Sequence, residues 1–204
     1  MAENKTRKPS QKRSIATREK IIDAGFDLIC TDGYFNTDTA KIAKKAGVST
    51  GIVYQYFKDK RDILIASLDK YSSMVFTPIL SISPRKFNKE DLPIILKELF
   101  TSYITNNKMS SKAFKELKAL SHYDEAVEMF FLEKQKEIAK IVSNILIDNG
   151  FDSTNIKEKV FSIIGIADYL CNGIIFNDLS ILDLNYEVML DILIDEIINI
   201  LNLK

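Results

Sequence analysis

The chain has 204 residues, of which 46% are hydrophobic, 27% charged and 10% aromatic, an ordinary globular composition. It is too apolar for a disordered chain, and seven glycines and four prolines are too few for a fibrous or low-complexity one. No uninterrupted apolar run approaches the ~20 residues of a bilayer span. The polar, basic opening MAENKTRKPSQKR has no apolar stretch behind it, so no secretory leader is expected. The expectation is a soluble, cytoplasmic protein with no membrane partner.

Cys30 and Cys171 lie far apart and form no CxxC spacing, which fits a reducing compartment better than a disulfide framework. His122 is the single histidine. Metal sites built on imidazole and Ser-His-Asp machinery therefore have one candidate between them. No GxGxxG, P-loop, HExxH or GxSxG motif is present. No catalytic residue, metal ligand or cofactor is expected, and the protein is not read as an enzyme.

The formal net charge is zero, but the two parts of the chain differ. Residues 1–62 carry 13 Lys and Arg against 8 Asp and Glu; the remainder carries 15 against 20. Lys5, Arg7, Lys8, Lys12 and Arg13 make residues 1–13 a basic arm. A basic first segment on an acidic, apolar remainder implies a polyanionic partner for that first segment.

Periodicity is helical throughout. Ile21, Ile22, Gly25, Leu28 and Ile29 mark one face of a first helix, with Thr17 as its cap and Gly33 as its stop. A short helix over 38–46 follows, N-capped by Thr37, with Ile42, Ala43 and Ala46 facing inward. Gly47 interrupts it, and a third helix runs from Ser49 or Thr50 to Phe57. A longer helix then carries Leu64, Leu68 and Tyr71 on one stripe and stops before Pro78. Pro78, Pro84 and Pro93 mark residues 77–93 as a connector. Beyond it lie helices at about 91–107, 110–120, 122–149, 154–177 and 184–203, with Asn149-Gly150 ending one of them. The fold class is all-α, with about nine helices.

The stretch from Thr37 to Arg61, TDTAKIAKKAGVSTGIVYQYFKDKR, has the spacing of a helix-turn-helix. Ala43 allows a close helix crossing, Gly47 permits the positive φ of a tight turn, and Val48 and Val53 fill the joint. The second helix then presents Ser49, Thr50, Gly51, Ile52, Tyr54, Gln55 and Tyr56 outward. Hydroxyls, an amide and aromatic rings on one surface suit phosphates and base edges.

Three successive groups of residues carry a family resemblance. Gly33-Tyr34-x-x-Thr37 is followed by Ile42-Ala43-x-x-Ala46-Gly47-Val48-Ser49-x-Gly51. Val53-Tyr54-x-Tyr56-Phe57-x-x-Lys60 completes the series. Over about residues 15–70 the chain resembles the N-terminal domain of the tetracycline-repressor family of bacterial regulators. The departures are Thr39, where a hydrophobic residue is usual, Tyr56 in place of a histidine, and Asp38 beside the DNA. The resemblance implies that Thr17 and Thr37 contact phosphates from helix N-termini. It implies also that Thr50, Gly51, Ile52 and Tyr54 approach base edges, and that Gln55, Tyr56 and Lys60 hold phosphates. By the same resemblance residues 1–60 form the DNA-binding domain and 61–204 a helical ligand-binding and dimerisation domain. The expected partners are a palindromic double-stranded operator, a second copy of the chain, and a partly apolar small-molecule effector that relieves repression.

The large domain offers candidates for both of its roles. Phe100, Tyr103, His122, Tyr123 and Phe130 are candidates for an apolar ligand pocket. The last two long helices are apolar on more than one face, so one face is expected to be buried against a partner. Phe161, Gly165, Ile174, Ile194 and Ile197 are the candidate interface residues, in keeping with the family's four-helix dimer contact. Two other readings stand beside this one: a DNA-bound structural or division-control factor of the same fold that senses nothing, and a helical enzyme or carrier with an incidental helix-turn-helix.

Overall fold

The computed structural model describes residues 12–82, 86–107, 109–177 and 179–202. Lys5, Arg7 and Lys8 of the basic arm, and Pro84, lie outside these. Ten α-helices and one 3-10 turn occur among the described residues, and no strand does. The chain is all-α, as its periodicity implies, and nine of the helices have seven residues or more. In chain order they are α1 (Lys12–Asp32), α2 (Thr39–Ala46), α3 (Thr50–Tyr56), α4 (Lys60–Ile82) and α5 (Leu92–Thr105). They continue with α6 (Ser111–Tyr123), α7 (Glu125–Asp148), α8 (Ile156–Phe176), the single-turn α9 (Leu179–Leu182) and α10 (Tyr186–Ile200).

The helices pack as two compact units. One comprises residues 1–73 and 108–128, the other 74–107 and 129–204. The expected functional division after residue 60 falls at the first residue of α4. By packing, the first unit extends further because Ile63 and Ala66 of α4 join the core built by α1, α2 and α3, and α6 packs on α1.

In the first unit that core consists of Ile21, Ile22, Ala24, Ile42, Ala43, Val53, Phe57 and Ile63. Helix α1 crosses α4 at Gly25, where an added Cβ would lie 2.5 Å from Ile63 Cγ2, so only glycine permits the approach. Beside it the buried Ser67 hydroxyl donates to the Ile63 carbonyl at 2.7 Å, the bond within reach of its own helix. Helix α1 stops at Gly33 (φ 86°), whose N–H donates to Ile29 O at 3.0 Å.

The second unit is organised by two stripes. Ile156, Val160, Ile163, Ala167 and Cys171 line one face of α8; Leu193 and Ile197, with Leu201 just beyond the helix end, line one face of α10. Phe100 and Tyr103 of α5 pack against them. Burial pushes the Cys171 thiol up to about 12, which leaves it an inert core side chain. Helix α7 ends at Gly150 (φ 81°), with Phe151 N–H donating back to Leu146 O at 3.1 Å and its ring buried. That five-residue return bond with a hydrophobic contact is the Schellman arrangement. Helix α8 is, among the described residues, the one helix long and apolar enough to cross a membrane. Its buried stripe faces α10 and α5 instead.

One boundary differs from expectation. Helix α4 does not stop before Pro78 but continues to Ile82. A proline inside a helix removes one N–H from the ladder, and α4 accepts that loss. Pro93 sits in the first turn of α5, where that N–H would have no helical partner in any case.

Candidate nucleic-acid interface

The helix-turn-helix is assembled by local chemistry. Asp38, not Thr37, caps α2: its Oδ1 accepts the Lys41 N–H at 2.7 Å. Helix α2 ends at Gly47 (φ 69°), with Gly47 N–H donating to Lys44 O at 3.3 Å and Val48 N–H to Ala43 O at 3.0 Å. These two bonds form another Schellman motif, and they set the turn between the helices. No atom lies within 4 Å of a Cβ added at Gly47, so its left-handed backbone rather than lack of room makes glycine the fitting residue. Ser49 starts α3, its Oγ accepting the Ile52 N–H at 3.3 Å. Val53 is fully buried and pins α3 to Ile42 and Ala43 of α2.

With that face buried, α3 turns Thr50, Gly51, Tyr54 and Gln55 outward, all exposed. Ser49 is exposed at the helix start. A Cβ at Gly51 would touch nothing but Ser49 Oγ at 3.9 Å, so nothing within the chain requires a glycine there. The Tyr54 hydroxyl is 3.0 Å from Thr39 Oγ1, which fixes the ring across the mouth of the two helices. Thr39 was not among the expected site residues; it is the position where the chain departs from the family's hydrophobic residue. Lys41, Lys44, Lys45 and Lys58 add exposed positive charge around this surface.

Five expected contacts look different in the structure. Thr17 is not at a helix N-terminus: α1 begins by Lys12, and the Thr17 hydroxyl donates to Arg13 O at 3.0 Å, one turn back. Thr37 is 1% exposed, and its hydroxyl donates to Gly33 O at 2.8 Å, so it braces the turn after α1 and cannot reach a phosphate. Ile52 and Tyr56 are half-buried against the core of the unit, so each presents an edge rather than a whole side chain. Lys60 is also engaged: its Nζ donates to Tyr34 O at 2.8 Å and sits 4.1 Å from the centre of the Tyr34 ring. Burial pulls the Lys60 ammonium below its usual value, with Asp38 and Glu116 opposing the fall. Next to it Arg61 donates to Asp124 at 3.1 Å, a contact across 63 residues that the sequence did not announce.

The pocket and interface candidates divide in the same way. Phe100 and Tyr103 lie together on the second unit's core, and the Tyr103 hydroxyl donates to Asn172 Oδ1 at 3.3 Å. Phe130 packs edge-on to Phe131 at 5.6 Å between ring centres. His122 and Tyr123 belong to the first unit, at the end of α6, and both are exposed, Tyr123 by 90%. A position on the outside of a helix end does not line a cavity, so these two leave the pocket. Ile194 and Ile197 are buried in their own subunit, 6% and 2% exposed, and cannot serve as a surface. Phe161, Gly165 and Tyr169 of α8 and Val188 and Ile192 of α10 form the face left open, while Ile174 is half-buried.

An all-α chain whose helix-turn-helix offers hydroxyls, an amide and lysines to solvent is a DNA-binding regulator by class. Residues 21–66 match the profile of the bacterial regulatory proteins of the tetR family. The fatty acid metabolism regulator protein of Bacillus subtilis is 31% identical over 143 residues, covering 68% of this chain and 70% of that one. The transcriptional regulator BetI of Klebsiella pneumoniae is 41% identical over 64 residues, 31% of this chain and 33% of that one. Among solved structures, the fatty acid degradation regulator FadR of Bacillus halodurans superposes with a TM-score of 0.64 at 21% identity, over 95% of this chain and 96% of that one. FadR of Bacillus subtilis, solved with stearoyl-CoA, gives 0.62 at 24% identity over 90% and 96%. This chain belongs to the tetR family of bacterial transcriptional regulators.

Proposed function

We propose that the protein is a cytoplasmic repressor of fatty-acid metabolism genes that leaves its operator when a long-chain acyl-CoA thioester binds. One observation carries the reading. The identity with the Bacillus subtilis fatty acid metabolism regulator spans 143 residues, far more than the helix-turn-helix, and so includes much of the part that would hold an effector. The second unit's core is apolar and aromatic, with Phe87, Phe100, Tyr103 and Phe151 among its members, which suits an acyl chain. The remaining partner is a second copy of the chain, joined through the open faces of α8 and α10. A two-fold dimer would place its two α3 helices in successive major grooves about 34–36 Å apart on a palindromic site.

Within this scheme Thr50, Tyr54 and Gln55 read base edges, Gly51 lets the backbone come close, and Ser49 and Tyr56 meet phosphates. The effector acts only through its differential affinity for the DNA-binding and released states. Reciprocity then requires DNA to weaken acyl-CoA binding by the factor by which acyl-CoA weakens DNA binding. The test uses duplex DNA selected by the protein from a random pool, titrated with stearoyl-CoA, free stearate or coenzyme A alone. Stearoyl-CoA is expected to displace the DNA and the other two to leave it bound. Equal DNA affinity with and without stearoyl-CoA refutes the effector assignment.

A further inference from the structure

Helix α6 lies outside the helix-turn-helix in sequence, yet it carries a carboxylate into the turn that leads to it. The Glu116 side chain is 16% exposed. Its Oε2 accepts the Phe35 N–H at 3.0 Å, a bond that spans 81 residues. It lies so close to Gly33 that an added Cβ there would stand 2.5 and 2.7 Å from its two oxygens. The left-handed backbone of Gly33 (φ 86°) leaves room for the carboxylate, and the Phe35 N–H two residues on is the donor it meets. The same turn holds the reader. Tyr34 O accepts from both Thr37 N–H at 3.2 Å and Lys60 Nζ at 2.8 Å. Thr37 then leads directly into Asp38, the cap of α2. At the far end of α6, Asp124 takes Arg61 at 3.1 Å. Helix α6 thus reaches Lys60 by way of the turn, and Asp124, the residue that follows it, takes Arg61 directly.

We infer that Glu116 is a positioning residue for DNA binding. It is the carboxylate through which α6 fixes the Gly33–Thr37 turn, and with it the start of α2, in the geometry that meets DNA. The inference rests on α2 and α3 being the DNA reader. If α6 moved relative to this turn, Phe35 N–H would lose its acceptor and the Tyr34 platform would lose its anchor, with α3's own residues untouched.

The test measures binding of full-length variants to two probes, duplex DNA selected from a random pool by the wild-type protein and an unselected duplex of equal length. Glu116→Ala is expected to weaken binding to the selected duplex about tenfold, the scale of one charge-assisted hydrogen bond, and to change the unselected one much less. Glu116→Gln keeps an oxygen for Phe35 N–H and is expected to recover to within roughly threefold of wild type. Glu116→Asp, which draws the carboxylate back by one methylene, takes the place of the alanine variant should that one fail to fold. Binding by the Ala or Asp variant at the wild-type level overturns the inference. So does a glutamine variant no better than alanine, or an equal loss on both duplexes. Thr50→Ala and Gln55→Ala in the same titrations separate the two levels. If they leave the preference for the selected duplex intact, the reader assignment itself has failed. If they lower it while Glu116→Ala does not, only the role of Glu116 falls.

Discussion

Gly51 offers a substitution whose effects on folding and on DNA binding have opposite signs. It is the second residue of α3, it has no positive φ, and a Cβ there meets only Ser49 Oγ at 3.9 Å. Alanine therefore fits the folded chain without displacing anything. Gly to Ala in a helix interior stabilises by about 0.5–1 kcal/mol; in a first turn the lower figure is the appropriate one. Gly51→Ala should raise the melting temperature by roughly 1–3 °C. The added methyl projects from the surface proposed to face DNA, where a well-packed contact resists an extra carbon by about 1–3 kcal/mol. Kd for the selected duplex should then rise roughly 5- to 150-fold. Fluorescence anisotropy with a labelled duplex and a thermal melt on the same sample read both effects. A variant that melts higher and binds DNA as tightly as wild type would show that α3 does not approach DNA at Gly51. A lower melting temperature would contradict the open space above that residue.

Thr37→Val should cost about 1–2 kcal/mol of stability in a denaturant titration, because it removes the buried hydroxyl that donates to Gly33 O. Wild-type stability for this variant would show that the hydroxyl does not brace the turn. Tyr169 is 76% exposed and Ile192 56%, so Tyr169→Glu and Ile192→Glu should yield folded monomers in sedimentation with weakened DNA binding. Ile197→Glu puts a charge into the core and should unfold the second unit instead, visible as lost helicity. The Asp124 carboxyl, which burial alone would push up, is held below the usual carboxylate range by the Arg61 hydrogen bond and the N–H groups of Val127 and Ala126. Its contribution to stability is present above the unfolded-state value near ~3.9 and disappears as pH falls through the lower folded value. Asp124→Asn should therefore flatten the acid limb of the stability curve below about pH 4, measured by denaturation at a series of pH values. An acid limb as steep as the wild type's would refute that assignment.

Residue identities alone determined the helix-turn-helix. Gly47 allows the left-handed turn, Ser49 caps α3, and Val53 among the polar residues of α3 says which side is buried; all of these act over a few residues and leave a local pattern. Local signals failed where two neighbours could each do one task. Thr37 and Asp38 are both good caps, and the choice fell to Asp38 because the fold turns Thr37 inward to Gly33. Periodicity states which residues share a helix face but not which neighbour covers it. In α8 and α10 more than one face is apolar, so Ile194 and Ile197 could not be told from Val188 and Ile192 until packing buried the former pair. His122 and Tyr123 were read as pocket residues from their chemistry, whereas α6 joins the first unit and leaves them in solvent. The contact of Glu116 with Phe35 had no sequence signature at all. A single glutamate on a helix is indistinguishable from any solvated one until the chain, 81 residues apart, closes the turn around it.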